Sequence, residues 1–267
     1  MPSLEEFIRQ VRHNPRTPFL VKDLIPSQPG YSILAGPTGI GKSNLVLQLL
    51  MSVSTGSDWL GFPTGNPCNV SYLGFEGGKE GMCDRLEKVQ RFNPNGALSR
   101  VSYDIIDGRK LAGNEDWFRH HAECDTKRID LLALDPLKFL MYGDYTKPSD
   151  AARFLEKLKA FHNLIGAHII LPHHIRKRDP RGVLEPGDLD EIKGAGDYCD
   201  HADCVMLLER EKQQRVPGTR GFLPARRGYF TLYIAKARFN PGMLPEPITL
   251  WFNPDAIRFE VDNEPRI

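Results

Sequence analysis

The segment GPTGIGKS, Gly36–Ser43, packs three glycines, a lysine and a serine into eight residues. It fits the pattern G-x-x-x-x-G-K-[ST]. One reading is a glycine turn carrying a surface lysine. The other is a phosphate cradle, which must follow a strand and open a helix. YSILA (31–35) before it reads as a buried strand, and SNLVLQLL (43–50) after it reads as a helix. In that setting the backbone N–H groups of 38–43 face phosphate oxygens, helped by the positive end of the helix. Lys42 reaches the β- and γ-phosphates and Ser43 ligates Mg²⁺. The expected ligand is ATP with Mg²⁺, held by Gly36, Pro37, Thr38, Gly39, Ile40, Gly41, Lys42, Ser43 and Asn44.

Four further places carry matching chemistry. Asp135 ends LLALD (131–135), and a carboxylate at the C-terminal edge of a parallel sheet lies where ligands bind. It is the second candidate for the Mg²⁺ shell. Glu76 ends YLGFE (72–76) and can orient and polarise a water. Glu80, four residues on, is its rival for that role. His174 ends IILPHH (169–174), where an imidazole beside a phosphate can change hydrogen-bond partner on hydrolysis. Its neighbour His173 faces the other way on a regular strand. Lys236 and Arg238 flank Ala237 on alternate positions, so both project from one face of a strand and can approach polyphosphate.

The elements that must position these residues alternate. Strands are expected at 31–35, 69–76, 100–106, 129–135 and 167–174, with helices at 42–56, 81–92, 114–124 and 148–166 between them. That alternation means crossover units and an α/β fold with a mostly parallel central sheet, helices on both faces. Continuous apolar runs such as LLAL and IILP fit strands buried on both faces. Further strands are expected at 204–210 and 228–239, and 247–253 with 257–261 form a C-terminal β-hairpin. Residues 3–12 read as a short helix, Ser3 capping it with Glu6 three positions on. The expected organisation is an N-terminal helix and linker over 1–18 and one ATPase domain over 19–267.

Composition excludes several classes. The chain has 267 residues, 40% hydrophobic and 26% charged, with a net charge of +1, so no global field advertises nucleic acid. Five cysteines, at 68, 83, 124, 199 and 204, make an odd and irregular set that argues against a disulfide framework. A reducing, cytoplasmic setting is the simpler reading. No apolar run approaches the roughly 18 residues of a membrane span, and MPSLEEFIRQV carries acids where a signal peptide would not. His173, His174, Cys199, His201 and Cys204 offer zinc donors, but their spacing is irregular and Cys204 opens an apolar strand. The basic run RKRDPR (176–181) precedes acidic EPGDLDE, and Lys193 sits in IKGAG. Such a segment is a solvated face or a flexible track for one strand's phosphates.

Together these motifs resemble the RecA-like P-loop ATPase of the hexameric replicative helicase superfamily, closest to the compact plasmid RepA-type group with AAA_25-like ATPases. The likeness runs over about residues 20–255 and rests on YSILAGPTGIGKSNLVLQL, YLGFEGG with DRL (84–86), LLALDPLKFL, IILPHHIRK, DLDEIKGAGDYCDHADCVMLLER and IAKARFNPG. The resemblance implies Glu76 as the base and His174 as a γ-phosphate sensor. It implies Arg176, Lys177, Arg178 and Lys193 on DNA-binding loops, and Lys236 with Arg238 reaching a neighbour's ATP. Phe239 and Pro241 then become adenine contacts. It implies a homo-oligomer, six-fold by preference, acting on single-stranded DNA with a replication initiator or primase as partner and no membrane. Two other functions remain open at this level. One is a recombination or regulatory ATPase that assembles on DNA without unwinding. The other is a nucleotide-gated oligomeric binding module.

Overall fold

The computed structural model describes residues 3–6, 9, 19–75, 78–91, 98–105, 128–137, 140, 147–175, 189, 192, 195–211, 214–215, 222–223, 225–240, 242 and 244–263. Among them the strands are β1 (Phe19–Val21), β2 (Ile25–Pro26), β3 (Gly30–Gly36), β4 (Val70–Gly74), β5 (Val101–Ile105), β6 (Leu131–Asp135), β7 (His168–His174), β8 (Cys204–Arg210), β9 (Gln214–Arg215), β10 (Phe222–Leu223), β11 (Tyr229–Ala237), β12 (Ile248–Asn253) and β13 (Arg258–Val261). The helices longer than one turn are α1 (Lys42–Thr55), α2 (Lys79–Arg91), α3 (Pro148–Ile165) and α4 (Ala195–His201).

Nine strands form one sheet in the order β13-β12-β11-β8-β3-β7-β6-β4-β5. The run from β8 to β5 is parallel throughout, and β11, β12 and β13 continue it antiparallel. The expected parallel sheet and C-terminal hairpin are both present. The helix expected over 114–124 lies outside the described residues. A short β1–β2 hairpin, with Asp23 at φ 62, was not legible in the entry segment.

Alternation along the buried strands feeds two cores, one on each face. Leu34, Tyr72, Ala133, Ile170 and Met206 pack with α1, while Ile33, Leu73, Leu134, Leu171 and Val205 pack with α3 and α4. Helix ends follow local chemistry. Gly56 and Gly166 close α1 and α3 in the left-handed conformation, and Pro148 opens α3. At the N-terminus the Ser3 N–H donates to Glu6 Oε2 (2.8 Å) and the Glu6 N–H to Ser3 Oγ (3.2 Å), the expected reciprocal cap.

Two polar contacts pin the periphery. Gln48 of α1 donates from Nε2 to Phe259 O (2.8 Å) and accepts at Oε1 from Phe259 N–H (2.9 Å). The amide thus covers part of the β13 edge. At the other end of β3, buried His168 donates from Nδ1 to Gln28 O (3.3 Å) and accepts at Nε2 from the Ser32 hydroxyl (2.8 Å). These bonds suit the neutral ring, and burial pulls its pKa down to about 3.

Two outcomes follow from these contacts. Gln48→Ala should lower the unfolding free energy by about 1–2 kcal/mol, two neutral hydrogen bonds' worth, seen as a lower urea midpoint at unchanged slope. The His168 effect has a definite sign. An unfolded histidine takes up a proton below about pH 6.5 that the folded chain refuses, so stability present above that pH drains away as pH falls toward 3. The drain is at most about 1.4 kcal/mol per pH unit. Unfolding curves at pH 7, 6 and 5 should therefore show wild type losing stability faster than His168→Asn.

Candidate active site

Parallel pairing carries the predicted residues to one sheet edge. Gly36 pairs with His174, and Gly74 with Asp135, at the C-terminal ends of their strands. The Phe75 N–H donates to Asp135 O (2.9 Å), so β4 leaves the sheet beside the carboxylate.

The loop after β3 needs its glycines for distinct reasons. A Cβ on Gly36 would stand 2.6 Å from Leu208 O in β8, a clash with main chain. Gly41 has φ 102 and caps α1, and a Cβ there would meet the Phe259 ring at 2.9 Å. With no side-chain cap and no acid in the first turn, the α1 N-terminus offers its amide dipoles to an anion. Pro37, Thr38 and Gly39 form the exposed tip, while Ile40 anchors the loop in the core. Lys42 is 6% exposed, and its ammonium donates to Gly36 O (2.9 Å) and Pro37 O (2.8 Å). The loop therefore closes around its own cation. Asn44 is half-buried on the first turn of α1.

Beside this loop stand the other groups. Thr38 Oγ1 lies 3.3 Å from His174 Nδ1, which ties the tip to the end of β7. His173 faces away as expected, buried with its ring 6.1 Å from Tyr198 of α4. Asp135 is buried, and Tyr72 donates to its Oδ2 at 2.6 Å. The Ser43 side chain acts on the same phenol oxygen as a donor. Burial first, then the Asp135 charge, push the Tyr72 hydroxyl far above the ordinary phenol range, so it stays protonated. A serine hydroxyl and a carboxylate gathered this closely are hard oxygen donors that fit Mg²⁺. Tyr72 was missed from sequence. Its signal was a tyrosine four residues before Glu76 in an otherwise apolar strand.

Glu76, Pro241, Arg176, Lys177, Arg178 and Lys193 lie outside the described residues. Glu80 is exposed on the first turn of α2. Ile175 and Ile192, which flank the basic run, pair in an antiparallel bridge, so that segment leaves and rejoins the body beside His174.

Lys236 and Arg238 are elsewhere. β11 runs against β8, with Ala237 opposite Cys204 and Cys204 opposite Ser32 near the start of β3. From Ser32 to Gly36 is about 13 Å of strand, so the two cations sit at the sheet edge away from the phosphate loop. The strand also ends sooner than expected, at Ala237. A register shift between Ile234 and Lys236 and a turn at Arg238 replace the regular alternation. Both cations nevertheless converge on the C-terminus of α4. Lys236 Nζ donates to Cys199 O (2.6 Å) and Asp200 O (2.8 Å), and Arg238 Nη2 to Asp200 O (3.0 Å). Arg238 also pairs with Asp203 at 3.5 Å. Burial, then the Arg238 charge, lower the Lys236 pKa. Phe239 is exposed and meets Phe19 edge-on at 6.3 Å.

A family model described as an AAA domain, AAA_25, matches residues 3–180. The chain belongs to the AAA_25 family. No curated protein matches it. Among solved structures it is similar to an isolated ATPase domain, with TM-score 0.62, 15% identity, and 97% of this chain and 99% of that one covered. It is also similar to a DnaB-like replicative helicase described with its primase interactions (TM-score 0.60, 14% identity, 97% and 67% covered). A third is a KaiC-like protein from the hyperthermophilic archaeon Pyrococcus horikoshii OT3 (0.56, 12%, 98% and 96%). At these identities the likeness establishes the fold, which is the RecA-like ATPase fold. Among the described residues of this AAA_25 chain, no helix is long and apolar enough to cross a membrane.

Lys42→Ala tests the cradle. Losing a charge-assisted contact to phosphate should weaken ATP binding roughly tenfold to 100-fold, measured by titration with a fluorescent ATP analogue, with the circular dichroism spectrum unchanged.

Proposed function

We propose that this AAA_25 chain is an ATP-driven motor on single-stranded DNA, a small hexameric replicative helicase of a plasmid, phage or integrated element. One observation carries the oligomeric part. Lys236 and Arg238 lie at the sheet edge opposite the phosphate loop, so they can serve a triphosphate only on another copy. An arginine supplied in trans stabilises charge on the transferring phosphoryl group.

In this reading the amides of Thr38–Ser43 and the Lys42 ammonium bind the phosphates. Bound Mg²⁺ neutralises charge on the β- and γ-oxygens. Ser43 and Asp135 hold it, and Glu76 accepts a proton from the attacking water. His174, bonded to Thr38 at the loop tip, exchanges that partner for the γ-phosphate. The basic segment carrying Arg176, Lys177, Arg178 and Lys193 starts one residue past Ile175, so a shift at His174 has a short path to DNA contacts. The solved DnaB-like helicase interacts with primase; a primase or a replication initiator is the corresponding partner here, in a cytoplasmic setting. The same opposite-edge geometry also serves a helical filament on DNA, the second reading, since ring and filament differ in interface angle.

The test mixes two defective proteins in the presence of single-stranded DNA. Arg238→Ala subunits keep their phosphate loop, and Lys42→Ala subunits keep their arginine. Each alone should be nearly inactive. Mixed assemblies contain some interfaces with both intact, so ATPase should partly recover, depend on the mixing ratio, and fall on dilution. A protein that stays monomeric by light scattering with ATP and DNA, yet hydrolyses at full rate, would sink this reading.

A further inference from the structure

Tyr72 is built into the sheet edge as no core tyrosine needs to be. On β4 it pairs with Ala133, two positions short of the strand end where Asp135 stands. The phenol spans that gap by leaning along the strand over Gly74. A Cβ on Gly74 would lie 3.2 Å from Tyr72 Cε1 and 3.4 Å from the Tyr103 hydroxyl, so the missing side chain at 74 is what admits the ring. The ring is stacked on Tyr103 of β5, centroids 5.1 Å apart and planes within 15°. Its body is therefore held from below and from the side, and its hydroxyl arrives between Ser43 and Asp135.

A hydroxyl has one proton to give and lone pairs to receive. Tyr72 gives its proton to Asp135 Oδ2 and faces the Ser43 donor. We propose that Tyr72 is a positioning residue for the Mg²⁺ of the nucleotide site. By taking the Ser43 proton it turns a serine lone pair toward the cation. By donating to Asp135 it holds the carboxylate in one orientation. Partners behind the ligands set metal affinity in this way, and losing one costs roughly tenfold or more. The inference rests on the reading of this site as a Mg²⁺–nucleotide site.

The test uses full-length Tyr72→Phe, with Tyr103→Phe as its control. Phenylalanine at 72 keeps the ring and the stack and removes only the bridging oxygen. The Tyr103 hydroxyl has no hydrogen-bond partner among the described residues, so its loss leaves the bridge intact. Mn²⁺ is titrated into protein with a non-hydrolysable ATP analogue and read by electron paramagnetic resonance, beside analogue binding in EDTA. Expected is about a tenfold loss of Mn²⁺ affinity in Tyr72→Phe. Metal-free analogue binding should stay at the wild-type value, and Tyr103→Phe should match wild type throughout. Unchanged Mn²⁺ affinity in Tyr72→Phe overturns the inference and leaves the site reading standing. Equal losses of metal-dependent and metal-free binding also overturn it, since they mean a general disturbance of the edge. Wild-type protein that binds the analogue no better with metal than without overturns both.

Discussion

Everything at the candidate site depends on the parallel register of four strands. Pairing β3 with β7 sets Gly36 opposite His174, and pairing β4 with β6 sets Gly74 opposite Asp135. A parallel ladder brings like ends together, so residues from four distant stretches of chain reach one edge without any loop spanning them. A register slip in any of these pairs would turn each inward group to the other face. The register is strongly specified because both faces are buried, with α1 on one side and α3 and α4 on the other.

On that edge the phosphate loop is shaped by close approach as much as by its own sequence. Gly36 lets the end of β3 pass against Leu208 O, and Gly41 lets the start of α1 pass under Phe259. Phe259 is in turn held by both ends of the Gln48 amide. The last strand of the chain thus braces the first helix of the site. Lys42 fills the loop from inside, its charge satisfied by the carbonyls of Gly36 and Pro37.

The opposite edge has its own polar cluster. Asp203 accepts at its carbonyl from the Arg238 N–H (2.8 Å) and donates from its N–H to Tyr31 O (2.8 Å). Tyr31 in turn donates to Tyr198 O (2.7 Å). Lys236 and Arg238 finish the C-terminus of α4, where cations complement the helix dipole. α4 begins three residues after Ile192, which bridges Ile175 one residue beyond His174. The two sheet edges are therefore joined mechanically through one short helix, packed on the core by Tyr198 and Cys199.

The sequence by itself determined the strand–helix alternation, the double-sided burial of the central strands, the phosphate loop and the acid at the end of LLALD. These are local signals, since periodicity, glycine spacing and a polar residue closing an apolar run need no partner to be read. It placed His174 beside the loop and His173 away from it because alternation along a strand is local too. Only the tertiary structure decided which strands neighbour which. It thereby put Lys236 and Arg238 on the far edge, and it ended β11 at Ala237, where a register shift and a turn serve the helix they cap. Only the tertiary structure brought Tyr72 to Ser43 and Asp135, across 29 and 63 residues of chain. A tyrosine in an apolar strand reads as core until the neighbouring strand, and the glycine that makes room for its ring, are known.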